Sequence, residues 1–133
     1  MIAAVADTHT IIWYLYGDAR LSTRAKNTID DAISAGDTLL ISAITCVEMV
    51  YLIEKERIAA ESLTRLAAIL NDPATVFEAY PVDLAIARTL SRIDREQIGD
   101  MPDRIIAATS LHLGVPVISR DAKISTPEIT TIW

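Results

Sequence analysis

Residues 100–121 read DMPDRIIAATSLHLGVPVISRD, and the order of signals in that stretch decides the fold. Asp100 is a capping residue, Pro102 falls in the first turn, an apolar helical run follows, and Gly114 stands just past its end. Val115 to Ile118 then reads as a strand buried on both faces, closed by Ser119, Arg120 and Asp121. A capped helix that passes through glycine into a fully apolar strand belongs to a parallel sheet covered by helices.

The same pattern extends to both ends of the chain. Ile2 to Ala6 is another apolar strand, closed by Asp7, and a helical stretch through Trp13 and Leu15 stops at Gly17. Ser22 or Thr23 caps a helix to about Ala35, with Gly36 as its stop. Thr38 to Ile41 is β-prone, and Ser42 caps a helix over Ala43 to Lys55. A helix over about Ala60 to Leu70 is broken by Pro73. Thr75 to Tyr80 predicts a strand, Asp83 to Ile93 a helix, and Ile129 to Trp133 a short last strand. No repeat or Gly/Ser-rich linker divides residues 1–133, so one α/β domain with a four- to five-stranded, mainly parallel sheet is expected.

Composition narrows the function. With 133 residues and 51% hydrophobic content the chain fills one core. Its 12 basic residues against 18 acidic ones give a formal charge of -6, which argues against nucleic-acid binding through a broad basic face. It does not exclude a nucleic-acid substrate held by metal ions. Cys46 is the only cysteine, so an internal disulfide and a CxxC zinc site are excluded and a reducing, cytoplasmic setting fits. The segment before Asp7 has no basic n-region and is too short for a signal peptide. The charge-free run from Ile105 to Ser119, 15 residues with Gly114 and Pro116 inside it, is too short for a bilayer, so no membrane partner is expected.

Most acids read as solvated helix faces, but four do not. Asp7 is the only charge between Met1 and Gly17, and Glu48 the only one between Thr38 and Ile53. Asp103 opens the charge-poor helix of the quoted stretch and Asp121 closes its strand. In a parallel sheet the strands' carboxyl ends share one rim, and the crossover helices begin there. All four acids therefore reach one crevice, the place where open α/β sheets bind ligands.

Such a cluster cannot stay bare in a partly dry site, because like charges would force protonation. The bases adjoining it in sequence are only Arg104 and Arg120. An all-oxygen set suits Mg²⁺ or Mn²⁺ rather than zinc, which would find only His9, His112 and Cys46. Each acid also has a structural explanation: Asp7 as an N-cap, Asp103 in a capping arrangement with Asp100, Asp121 as a turn residue. Glu48, mid-helix in an apolar stretch, resists one. Four such positions together favour a metal site, and carboxylate-held Mg²⁺ points to hydrolysis of a phosphodiester by an activated water. Cys46 has no paired histidine, Ser119 no evident base, and no Gly-rich phosphate loop is present. His9 and Trp13, spaced i, i+4, are expected to pack together. His112 reads as structural, and Arg20, Arg24 and Lys26 read as a solvated helix start.

VADTHTIIWYL near the start, ISAITCVEM in the middle and MPDRIIAATSLHLGVPVISRDAKI near the end resemble the PIN domain. Size and motif order are similar to the VapC-type ribonuclease toxins of bacterial and archaeal toxin–antitoxin pairs. The resemblance covers nearly the whole chain and implies a three-layer α/β/α PIN-like fold. It implies that Asp7, Glu48, Asp103 and Asp121 bind Mg²⁺ or Mn²⁺ and that the protein cuts single-stranded regions of RNA. It further implies that the Thr8 and Ser119 hydroxyls help orient those acids, with Asp100 an outer acid or cap. Ser119 stands where threonine is common in the family, and the hydroxyl is retained. A cognate VapB-type antitoxin and a homodimer are implied as well. Two other readings compete. One is a haloacid-dehalogenase-like phosphotransfer enzyme using Asp7, whose usual second Asp is replaced by His9. The other is a non-catalytic acidic interaction domain, expected to bind no Mn²⁺.

Overall fold

The computed structural model describes residues 1–133. Strand β1 (Ile2–Ala6) leads into helix α1 (Thr8–Tyr16), then α2 (Thr23–Ala35), β2 (Thr38–Ser42), α3 (Ala43–Glu54) and α4 (Ser62–Asn71). After these come β3 (Phe77–Tyr80), α5 (Leu84–Leu90), α6 (Met101–Leu113), β4 (Val117–Ile118), a 3-10 turn (Ala122–Ile124) and β5 (Thr131–Ile132). The five strands form one sheet in the order β3-β2-β1-β4-β5, and every neighbouring pair is parallel.

Period-two alternation builds the three layers. Ala4, Ala6, Leu39, Ile41 and Ile118 face one side, where they pack with Ile11, Ile29, Met49 and Leu66 from α1 to α4. Val5, Leu40 and Val117 face the other, against Ile86 of α5 and Ile105, Ile106 and Ala108 of α6. Because both faces are covered, strand residues such as Val5, Leu39 and Val117 are fully buried, as the unbroken apolar runs require.

Helix ends follow the capping chemistry. The Ser22 hydroxyl accepts from the Ala25 amide at 3.0 Å, and the Asp100 carboxylate accepts from the Asp103 amide at 3.2 Å. Gly114 ends α6 in the left-handed region at φ 67°, a conformation any side chain would strain.

Several boundaries move inward from the sequence expectation. Thr75 is a turn residue whose hydroxyl accepts from the Phe77 amide, so β3 starts at Phe77. Helix α5 stops at Leu90, where the Ser91 hydroxyl donates to the Arg88 carbonyl and Asp94 opens another turn. β4 begins at Val117 because the Val115 amide is still engaged with Ser110 and Pro116 has no amide to give.

From β1 the chain builds β2 and β3 on one side, then returns to build β4 and β5 on the other. The order therefore reverses between β1 and β4, and the carboxyl ends of those two strands flank a crevice. The start of α1 is fastened across this gap: the Asp7 amide and the Thr10 hydroxyl both donate to the Ile118 carbonyl, at 3.0 and 2.7 Å.

Candidate active site

The crevice at the switch point has a volume of about 540 Å³, and Asp7, Glu48, Asp100, Asp103 and Asp121 all line it. Five acids from four elements and their junctions thus share one space. None of them pairs with a basic side chain.

Asp7 is the buried centre, 8% exposed. It caps α1, with Oδ1 accepting from the Thr8 amide at 2.7 Å, so its capping role is real. Its other oxygen, Oδ2, accepts from the Ser119 hydroxyl at 2.6 Å. Each oxygen keeps a second lone pair. Burial pushes the Asp7 carboxyl above its usual range, and those two hydrogen bonds pull back against the shift.

Glu48 lies in the second turn of α3 and is steered by a relay of hydroxyls. Thr8 Oγ1 donates to Glu48 Oε1 at 2.6 Å and lies 3.0 Å from Thr45 Oγ1. Since Thr8 has one proton and gives it to Glu48, Thr45 is the donor to Thr8. Burial raises the Glu48 carboxyl, opposed by the Thr8 bond. Thr45 is fully buried three residues before Glu48, on the same helix face. That i, i+3 spacing was the signal in the sequence that could have found it.

Asp103 stands in the first turn of α6, and its carboxyl is pushed up to about 7. Burial is the main cause, followed by the charges of Asp7, Asp100, Asp121 and Glu48. Asp121 follows β4; its amide donates to the Ser119 hydroxyl at 3.0 Å, and its Oδ1 accepts from the Lys123 amide at 2.9 Å. Asp121 is therefore a turn residue as well as a wall of the crevice. Asp100 is exposed and caps α6.

Arg104, adjacent to Asp103 in sequence, turns away from the crevice and donates to the Leu90 and Ile93 carbonyls at 3.1 and 2.9 Å. Burial pushes the Cys46 thiol up, away from nucleophilic use. His9 packs on Trp13 with ring centroids 5.6 Å apart, and His112 is exposed at the end of α6. Lys26 pairs with Asp30 at 2.7 Å, as a solvated helix face would, and Arg24 is exposed.

The rest of the lining was not singled out as a site from sequence: His9, Thr10, Trp13, Arg20 and Arg120. Arg20 and Arg120 come together only because α1 and the β4 end meet over Trp13, a relation that no local spacing reveals.

The donor set fits a hard divalent cation. It is all oxygen, no member is ion-paired to a base, and burial together with the charge of the neighbouring acids raises Asp103 well above a free carboxyl. As placed, no three His, Cys, Asp or Glu side chains converge into a closed ligand group. Mg²⁺ commonly takes one or two carboxylates and keeps several waters, so it does not demand one.

Comparison with known proteins agrees with this architecture. Residues 4–128 match the family model of the PIN domain. Ribonuclease VapC22 of Mycobacterium tuberculosis is 28% identical over 138 residues, covering all of both chains. In the VapBC2 structure from Rickettsia felis, bound to a DNA fragment from its promoter, a chain superposes with a TM-score of 0.71 at 17% identity, over 98% of this chain and 97% of that one. A toxin–antitoxin complex from Klebsiella pneumoniae gives 0.62 at 26% identity, over 97% of each chain. The resemblance drawn from the three motifs is borne out, and so is the α/β/α fold with its parallel sheet. With the family model spanning all but the ends of the sequence, the chain belongs to the PIN domain family.

Proposed function

We propose that this protein is a divalent-metal-dependent endoribonuclease of the VapC type, the toxin of a toxin–antitoxin pair. Asp7, Glu48, Asp103 and Asp121 would hold Mg²⁺ or Mn²⁺. The observation that carries the reading is the crevice itself: five acids brought to the β1/β4 switch point, none of them in an ion pair with the arginines that share its lining. The ribonuclease relative aligned over its full length supports the same activity.

When bound, the ion would supply charge stabilisation on phosphate oxygens and acidify a water for in-line attack. The chain's own residues do the positioning. Ser119 and the Thr8 amide fix both oxygens of Asp7, and the Thr45–Thr8 relay fixes Glu48. Outer hydrogen bonds of this kind orient metal ligands and raise affinity. Asp100 holds the first turn of α6 and thereby places Asp103.

The toxin–antitoxin relatives support a VapB-type antitoxin as partner. Val47, Val50 and Tyr51, exposed on α3, offer apolar surface to such a partner or to a second copy of the chain. No helix is long and apolar enough to cross a membrane.

The test is inducible expression of wild type beside Asp7→Asn, with mapping of RNA 5′ ends, and cleavage by both purified proteins with Mg²⁺ or with EDTA. Growth arrest and new 5′ ends for wild type alone, abolished by EDTA in vitro, are expected. Undiminished cleavage by folded Asp7→Asn overturns the assignment.

A further inference from the structure

Two arginines from opposite ends of the chain lie over one indole. The guanidinium carbon of Arg20 is 5.1 Å from the Trp13 ring centroid and that of Arg120 is 4.9 Å from it. The two cationic centres are thus no more than about 10 Å apart, and both line the crevice that holds the acids.

Their states differ. Arg20 is clamped by Asp18, whose Oδ1 accepts from the Arg20 amide and Nε at 2.9 and 3.1 Å and whose Oδ2 accepts from a terminal nitrogen at 2.7 Å. Arg120 forms no ion pair, although Asp121 is its neighbour and Asp7 lines the same crevice. It rests on the indole instead. Trp13 is only 5% exposed, so it backs the two guanidinium groups rather than serving as a platform for stacking bases. Flat, oriented guanidinium groups match the geometry of phosphate oxygens. In a chain of net charge -6, the unpaired charge of Arg120, with the Asp18-held guanidinium of Arg20 beside it, marks where an anionic polymer is tolerated next to the acidic crevice.

Building on the ribonuclease reading, we propose that Arg20 and Arg120, laid on Trp13, form the subsite that holds a backbone phosphate of single-stranded RNA next to the bond to be cut. These are positioning residues: they anchor the strand and leave the chemistry to the acids. RNA fits better than an acidic peptide, because the five acids alongside repel peptide carboxylates, whereas phosphates are what carboxylate-held cations accept.

The experiment measures fluorescence anisotropy of a labelled single-stranded 2′-O-methyl RNA 12-mer with Asp7→Asn protein in Mg²⁺, over a range of KCl. Arg20→Gln and Arg120→Gln are added singly, with Arg24→Gln as the surface control. Each crevice variant is expected to weaken binding about five- to tenfold and to reduce the salt slope by about 0.7, the share of one single-strand phosphate contact. Arg24→Gln should change neither. Arg120→Lys should restore the salt slope, which a merely structural arginine would not do. Both tryptophans of the chain, Trp13 and Trp133, meet here at 5.8 Å, so the RNA should also quench intrinsic fluorescence, and Arg120→Gln should abolish the quench.

In otherwise wild-type protein the same variants should raise KM for RNA cleavage with little change in kcat. Unchanged affinity and slope in both glutamine variants, or absence of RNA binding by the parent, overturns the subsite. So does loss of binding to a poly-glutamate peptide while RNA binding is kept, which would assign the arginines to an acidic protein segment. Failure of the ribonuclease reading shows separately, as absent cleavage by a protein whose RNA binding still depends on the arginines.

Discussion

The Ser119 hydroxyl donates to Oδ2 of Asp7 across 2.6 Å, joining residues 112 positions apart in sequence. That bond spans the β1/β4 switch point, and the same hydroxyl accepts from the Asp121 amide. One small side chain therefore sets the orientation of two acids.

Ser119→Ala should strip a buried carboxylate of its only hydroxyl donor. Loss of about 1–3 kcal/mol of stability is expected, the cost of an unsatisfied buried acceptor. Metal affinity should fall roughly 10- to 100-fold, as for lost outer partners of metal ligands. Ser119→Thr keeps the hydroxyl and should behave nearly as wild type. Thermal melts and Mn²⁺ titration calorimetry of the three proteins decide it; equal Mn²⁺ affinity for Ser119→Ala contradicts the orienting role.

The Thr45–Thr8–Glu48 relay predicts a graded series. Thr45→Val removes the outer donor, leaves Glu48 its bond from Thr8, and should cost about 1 kcal/mol with a small loss of cleavage. Thr8→Val removes the bond to Glu48 itself and should lower metal-dependent cleavage roughly 10- to 100-fold. Rates measured at fixed Mn²⁺ should run wild type, Thr45→Val, Thr8→Val. The reverse order of the two variants is incompatible with the relay.

Asp103 imposes a pH dependence on the metal-free fold. Its carboxyl binds a proton more tightly in the folded state, at about 7, than at the ordinary value of 3.8, so folding is penalised as the proton leaves. In EDTA the contribution from Asp103 should lower the melting temperature as pH rises from about 4 to 7 and then level off. Asp7 and Glu48, both also raised by burial, add the same sign. Asp103→Asn should flatten the slope, and millimolar Mn²⁺ should raise the melting temperature more at pH 8 than at pH 5. A melting temperature with the same pH slope in wild type and Asp103→Asn removes this account.

Arg104 tests whether stability and chemistry separate. Because its terminal nitrogen serves the Leu90 and Ile93 carbonyls at the end of α5, Arg104→Ala should destabilise by about 2 kcal/mol. Cleavage per folded molecule should stay within about twofold of wild type. A large loss of cleavage at unchanged melting temperature would place Arg104 in the site after all.

Much of this site was legible because its acids break local rules. Asp7 and Glu48 interrupt apolar runs, and the capped helix before β4 places Asp103 and Asp121 by sequence position alone. The strand limits were harder. Pro116 sits inside an apolar run whose hydropathy matches a strand, yet it cannot donate to the ladder, so β4 holds only Val117 and Ile118. Arg20 and Arg120 look like ordinary surface bases on a one-dimensional reading. Their shared indole is a product of tertiary folding, since Arg20 follows α1 and Arg120 follows β4.

The edge-on contact of Trp133 with Trp13 has a practical side for anyone handling the molecule. A purification tag attached after Trp133 would begin beside the crevice wall and compete with whatever enters it. Met1 is almost fully exposed at the opposite end of β1, its amino group 3.5 Å from Asp37, where a tag or a surface-coupling linker leaves the crevice clear.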